Sequence, residues 1–476
     1  MEKTKNVKNR HEKSYKTLFL IVWILFYSIS GNPEGFFSEA IAEQGKVLYV
    51  SGGNRVSEVD KLFIEEGVEI DVNCMFANAS DVQRIILAGI ETPDLFVLDV
   101  DDGYWGLVQK GYLQEITDVT MVDEVSNFYP AIQRVLMDSS HQIVAMPEYF
   151  MPIHWCVNET LWCQVFGEKP YPETFLELAE LFVQWNEELS MEYPEVKLLE
   201  FYGNSEMLIL NAIKQYISQC ENAGKPVIFE EEMMIRTLTA LRSLNLQTIT
   251  EAEEDVYFNQ LSLILMQPMG GFGVEYVDGC RYVPLLPLRI TQDSPVFVPA
   301  RMRVMFVNPN SRNQELAYAY LRAYWEAQSA KVKAGIIENW YKPVFSRQGV
   351  KQLNQIDQDI EKTREALAKA FEERNPDQID ALNMQLTIFN EKKEKLLVEA
   401  YDVSQEDIAA YRLIGPFVSL LFGSPYAHDD DHAMQAITQI VRQFVDGKMK
   451  PEECARKLSD IAHMVAKENE SSDFKQ

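Results

Sequence analysis

Hydrophobic positions along the chain switch between two periods, and the switching predicts an architecture. Residues 46–50 form a short β-rich run that stops at Ser51, Gly52, Gly53 and Asn54. Helical spacing follows through Val59, Leu62 and Phe63, and residues 68–72 then alternate apolar and acidic, as a half-buried strand does. Asp81 is placed to cap a helix carrying Val82, Ile85, Ile86 and Ala88, with Gly89 as its stop. Leu95, Phe96, Val97 and Leu98 are continuously apolar, the pattern of a strand covered on both faces. Strand and helix alternate through this stretch, which predicts an α/β fold with a parallel sheet. A short helix from Gly103 to Gly111 follows.

Residues 142–147 and 151–157 are strand-like. Thr174 has Glu177 three residues later, the spacing of a capping box. It opens a helix with Phe175, Leu178, Leu181, Phe182 and Trp185 on one face. Residues 227–229 predict a brief strand before an amphipathic helix to Leu244. Residues 261–266 predict a buried strand or helix, 302–306 a strand, and 314–333 one helix. From 351 to 397 the texture changes. Leu353, Ile356, Ile360, Leu367 and Phe371 recur at spacings of 3, 4, 7 and 4 with charges between them. Asn375, Pro376 and Asp377 interrupt, and Ile379, Leu382, Leu386 and Phe389 resume the pattern. This predicts an αα-hairpin. Helices over 434–445 and 451–468 close the fold, and 469–476 reads as a solvated tail.

Composition adds constraints to this outline. The 476 residues are 47% hydrophobic and 24% charged, which fits a folded globular chain. The net charge of −28 repels phosphate, so nucleic acid is not a partner. The body is equally unsuited to an anionic membrane surface. Lys3, Lys5, Lys8, Arg10, Lys13 and Lys16 precede an apolar run at 18–27, the layout of a secretory signal. The run is shorter than the roughly 20 residues that span a bilayer. Ala40 and Ala42 frame a cleavage site, so residues 1–42 read as a signal peptide; an uncleaved anchor is the alternative. Removing their six basic and four acidic residues leaves a body at −30. The protein is therefore expected outside the cell, secreted or at its surface.

Six cysteines are scattered, from Cys74 to Cys454, without a C-x-x-C pair. That gives no zinc or redox motif, and several read as buried free thiols. His428 and His432 flank three aspartates, which suit the first turn of the helix near Met434 better than a metal. No G-x-S-x-G, H-E-x-x-H or phosphate-loop order is present. The chain is read as a non-enzyme without cofactor or metal.

Several segments together resemble the extracellular solute-binding proteins of ABC transporters, the maltose- and oligosaccharide-binding group. They are the opening strand at 46–50; Asp81 to Gly89 leading to Thr92, Pro93 and Asp94; and Gly111 to Asp118. They continue with Ala145 to Pro147 followed by Trp155 and Asn158; Pro172 to Leu178; and Phe444 to Gly447 with the helix from Pro451. The lipobox Cys usual in Gram-positive members is missing, and the hairpin is an addition. The resemblance implies a periplasmic-binding-protein-like type II fold of two interleaved α/β lobes with hinge crossings. One lobe is 43–149 with 291–343. The other is 150–290 with 344–350 and 398–468. The hairpin is 351–397, and the crossings lie near 149–152, 284–290 and 342–346. The implied function is capture of a small solute, favouring a carbohydrate, between the lobes and its delivery by a monomer to a membrane ABC permease. A surface sensory or adhesion protein that docks a partner through the hairpin is the alternative.

Ligands in open α/β sheets sit at the C-terminal ends of strands. That rule selects Gly53, Asn54, Asp102, Tyr104, Trp105, Glu148 and Tyr149. Sugars need flat apolar faces for C–H patches and carboxylates or amides for hydroxyls. Tyr104, Trp105, Tyr149 and Trp155 supply the first; Asp102, Glu148 and Asn54 supply the second. Packing in the core is the alternative for Trp105 and Trp155. Gly270 and Gly271 offer backbone N–H groups, with a tight turn as the alternative.

Overall fold

A computed structural model describes residues 47–51, 57–73, 78–201, 205–244, 262–267, 275–277, 280–286, 288–420 and 432–473. The signal segment 1–42, Gly53, Asn54, Gly270, Gly271, Cys74 and His428 lie outside the described residues. The chain divides into two compact units, each built from separated stretches: residues up to Leu98 with Tyr112–Ile116 and Met305–Ala327, and Asp99–Gly111 with Thr117–Val304 and Gln328 onward.

In the first unit, strand Val47–Ser51 lies between Glu69–Asn73 and Leu95–Asp99 and runs parallel to both. Leu48, Phe63, Val82 and Phe96 are buried, as the periodicity requires. Phe96 packs on Phe306 at 5.6 Å, and Phe63 meets Tyr320 edge-on at 5.3 Å. Asp94 ties the unit together. Its carboxylate accepts from Tyr49 N (2.8 Å) and Ser311 Oγ (2.5 Å), while its carbonyl accepts from Asn308 N (2.8 Å). A buried carboxylate needs such donors to offset its lost hydration. The cap of helix Ala79–Leu87 is Asn78, not Asp81. Asn78 is extended and accepts from Asp81 N at 2.8 Å, leaving Asp81 in the first turn to pair with Arg84.

In the second unit, five strands follow the order Lys197–Phe201, Ser262–Gln267, His154–Asn158, Cys280–Leu285, Glu275–Val277. His154–Asn158 is antiparallel to both neighbours, whereas Lys197–Phe201 and Ser262–Gln267 are parallel. Helices Phe175–Gln184, Ser205–Asn222, Glu232–Ser243, His432–Val445 and Pro451–Asp473 share one core with this sheet. The capping box forms: Glu177 N donates to Thr174 Oγ1 (3.1 Å) and Thr174 N to the Glu177 carboxylate (3.2 Å). Residues 227–229 are not a strand. Phe229 is fully buried in that core and its N–H is held by Ser459 Oγ at 2.9 Å, so no strand partner is needed. The helix expected over 314–333 ends at Ala327, and a second, Ala330–Ile336, starts under the Ser329 cap.

The N-terminal part of strand Val298–Val307 pairs in parallel with Val418–Ser419 and also pairs with Met146–Pro152. Helix Gln405–Ile414 packs on Tyr129, whose hydroxyl donates to Tyr411 O at 3.1 Å. Arg412 reaches Trp340 O at 3.3 Å.

The αα-hairpin is present and longer than its apolar pattern: Arg347–Glu372 and Pro376–Glu399. Ile356, Ile360, Thr363 and Ala370 of the first helix are buried, and residues 379, 382, 386, 389, 393 and 396 of the second are half-buried. Asn375 caps the second helix with Pro376 at its first position, where a missing N–H costs nothing. At the root, Val344–Phe345 pairs antiparallel with Tyr401–Val403, and Phe345 stacks on Tyr401 at 4.2 Å. Gly349 lies against Ala400 so closely that an added Cβ would stand 2.7 Å from Ala400 Cα.

Candidate functional site

The site is built where the chain leaves strand Leu95–Asp99. Val100 N donates to Met302 O (2.8 Å), which fixes the next residues against strand Val298–Val307. Asp101 is extended, and its carboxylate accepts from Tyr104 N at 2.7 Å, the N-cap of helix Asp102–Gln109. This start sets the helix's rotation. Tyr104, Leu107 and Val108 turn inward at i, i+3 and i+4. Asp102 and Trp105, one turn apart, lie on the other side, exposed and half-buried respectively. A carboxylate and an indole thus share an accessible face.

On its other edge the same strand meets Met146–Pro152. There Glu148 turns inward and Tyr149 stays partly open. Glu148 pairs with Arg303 Nε at 3.0 Å; the two side chains are 1% and 14% exposed. The Arg303 guanidinium also lies 4.8 Å from the Tyr149 ring centre, close enough for a cation–π contact. Gln328 Nε2 donates to Glu148 O (2.8 Å), and the Tyr149 hydroxyl reaches Met151 Sδ at 2.9 Å. One charged pair therefore orients the open tyrosine.

Two aromatic expectations and one carboxylate are corrected. Tyr104 is fully buried, with its hydroxyl donating to Val135 O at 2.8 Å, and burial pushes its pKa far up. It has no face for a ligand. Trp155 sits in the central strand of the five-stranded sheet, 4% exposed and within the core. Glu148 is committed to Arg303 inside the protein. Asp102, Trp105 and Tyr149 remain accessible. His154, beside Trp155, is fully buried, and burial pushes its pKa down to about 4 against a hydrogen bond with the Pro152 backbone that acts to raise it.

The structure adds features that the sequence reading missed. Arg303 is one; its signal was a cation alternating with Met302 and Val304 in an apolar strand. A cavity of about 300 Å³ is another, lined among others by Arg134, Phe297, Phe417, Ser419 and Leu420. The Val298–Val418 pairing brings its walls together. It begins about 16 Å along the strand from Arg303, at roughly 3.3 Å per residue. Two rings, a guanidinium and a hydroxyl line it. Among the described residues, no group of three His, Cys, Asp or Glu side chains is arranged to hold a metal ion.

No protein-family profile and no curated protein sequence matches the chain. Solved structures do match it. Maltose-bound MalE3 of T. maritima superposes with a TM-score of 0.50 at 12% identity, over 88% of this chain and 100% of that one. A protein of xylan utilization in the thermophilic bacterium Caldanaerobius polysaccharolyticus superposes with a TM-score of 0.52 at 13% identity, over 87% and 99%. The chain has the fold of these two structures, a mixed α/β fold as its sequence resemblance implied. At these identities the likeness is one of fold.

Proposed function

We propose that this protein binds a carbohydrate outside the cell and delivers it to a membrane ABC permease. The observation that carries the reading is the accessible face shared by Trp105 and Asp102 at the C-terminal end of a parallel strand. An indole face stacks on sugar C–H patches, and a carboxylate one turn away accepts from hydroxyls. Tyr149, held by Arg303, offers a second ring. The maltose bound by the T. maritima protein supports the choice of ligand class. Capture would proceed by a population shift between open and closed lobes, and the permease would read the closed form. The first lobe would comprise 43–149 and 291–343, and the second 150–290, 344–350 and 398–468. Contacts of helix Gln405–Ile414 with Tyr129 and Trp340 favour moving 404–420 to the first. Neither step needs a catalytic group.

The test is a thermal-shift panel of maltose-type and xylan-type oligosaccharides, monosaccharides and peptides. A ligand that binds only the folded state must raise apparent stability. A saccharide that stabilises supports the reading; stabilisation by peptides alone overturns the ligand class. The exposed Met384 and Ile388 of the hairpin favour a second reading, a surface protein that uses the hairpin for docking. Deleting 351–397 would then leave sugar affinity intact and remove the docking.

A further inference from the structure

The second hairpin helix, Pro376–Glu399, carries a second exposed row besides its own seam, apolar at its centre and charged at its ends. Residues 379, 382, 386, 389, 393 and 396 are half-buried and belong to the hairpin's own seam. On the opposite side, Asp377, Ala381, Met384, Ile388, Glu391 and Lys395 follow a 4-3-4-3-4 spacing. All six are exposed, and Met384 and Ile388 are 69% and 51% exposed. That spacing is the heptad seam of a helix that packs lengthwise on another helix. A surface helix that served only its own hairpin would carry polar residues at Met384 and Ile388 as well.

The order of charges along the stripe selects the occupant. We propose that it is the same stripe of a second copy of this chain, packed antiparallel about a two-fold axis. The axis falls midway between Met384 and Ile388, so Met384 of each copy meets Ile388 of the other. Ala381 then faces Glu391, and Asp377 faces Lys395, at both ends. Opposite charges meet, and the small Ala381 leaves room for the longer Glu391. A parallel arrangement would instead place Asp377 on Asp377, Glu391 on Glu391 and Lys395 on Lys395. Like charges at these positions reject that register. The interface is self-complementary, as a two-fold contact must be.

Net charge agrees with this placement. The two hairpin helices hold eight basic and ten acidic residues, so only −2 of the chain's −28 resides there. Two acidic bodies meet with least repulsion through such a segment. A helix of 24 residues offers about 36 Å of contact length. Two large apolar side chains per copy make the dimer reversible, unlike an obligate one. The monomer expected from the resemblance rests on segments that exclude the hairpin.

Sedimentation velocity of the full chain over low to high micromolar concentration tests this. A reversible monomer–dimer equilibrium is expected, with Ile388→Lys weakening it by about tenfold or more, equivalent to roughly 1.4 kcal/mol. Unchanged circular dichroism keeps that variant interpretable, since Ile388 is exposed. Asp377→Lys alone and Lys395→Asp alone should each weaken dimerisation, and the two together should restore it. A chain that stays monomeric at the highest concentration overturns the proposal. So does a dimer indifferent to Ile388→Lys, or a charge swap that does not restore. None of these readouts involves a sugar, so their failure is separable from failure of the ligand reading.

Discussion

Replacing Arg303 with Ala isolates the pair that orients the open tyrosine. In the folded protein Glu148 has a side chain 1% exposed and takes its charge partner from Arg303 at 3.0 Å. Removing one partner of a buried pair costs about 3–5 kcal/mol. The cation–π contact with Tyr149 disappears with it, but overlaps that figure. Taking about 4 kcal/mol, and roughly 2 cal/mol/K of unfolding entropy per residue over a unit of about 350 residues, the midpoint should fall by about 5 °C. Thermal melting by circular dichroism reads this directly. The double variant Glu148→Leu with Arg303→Met should recover most of the loss, because an apolar pair of similar volume replaces two buried charges. If Arg303→Ala melts within about 1 °C of the parent, far less than the shift expected, and sugar affinity falls instead, Glu148 is a ligand group and not the buried partner of Arg303.

Three further outcomes follow from the same structure. His154 has a folded pKa of about 4 against an ordinary 6.5, so the unfolded chain takes up a proton between those values while the folded one does not. Its stabilising contribution is complete above pH 6.5 and is lost as pH falls toward 4, about 3 kcal/mol in total; urea melts across that window should flatten in His154→Leu, and parallel slopes would contradict this. Gly349→Ala should cost about 1–3 kcal/mol by driving a methyl into the Ala400 backbone, and faster protease cleavage at the hairpin root would report it. Tyr104→Phe should lower stability by about 1 kcal/mol through the lost bond to Val135 O and leave saccharide affinity unchanged, measured by melting and calorimetry.

Much of the fold was legible where the signal is local. Thr174 and Glu177 announced their capping box because both halves lie within one turn. The hairpin was legible because its apolar positions recur at multiples of the helical repeat up to Phe371. Locality also explains the misses. Asn78 was overlooked as a cap because it lies four residues before Val82, the first clear apolar position. Residues 227–229 looked like a strand because their apolarity serves a core completed by Ser459, 230 residues later. At the site, Tyr104 and Trp105 are adjacent in sequence, yet the first is fully buried and the second only half-buried. The rotation is set by Asp101, and the inward trio Tyr104, Leu107 and Val108 was the available clue. Glu148 looked like a ligand group because its partner, Arg303, is 155 residues away. Burial of Trp155 depends on strands 262–267 and 280–285 flanking it, which no local pattern reveals.

The central claim is that Trp105 and Asp102 form part of a carbohydrate site. Isothermal titration of the parent and of Trp105→Ala with the most stabilising oligosaccharide tests it most directly. Stacking on an indole face predicts saturable binding by the parent and a loss of about tenfold or more in the variant, with an unchanged melting midpoint. Equal affinities with a lowered midpoint would return Trp105 to the core and contradict the account.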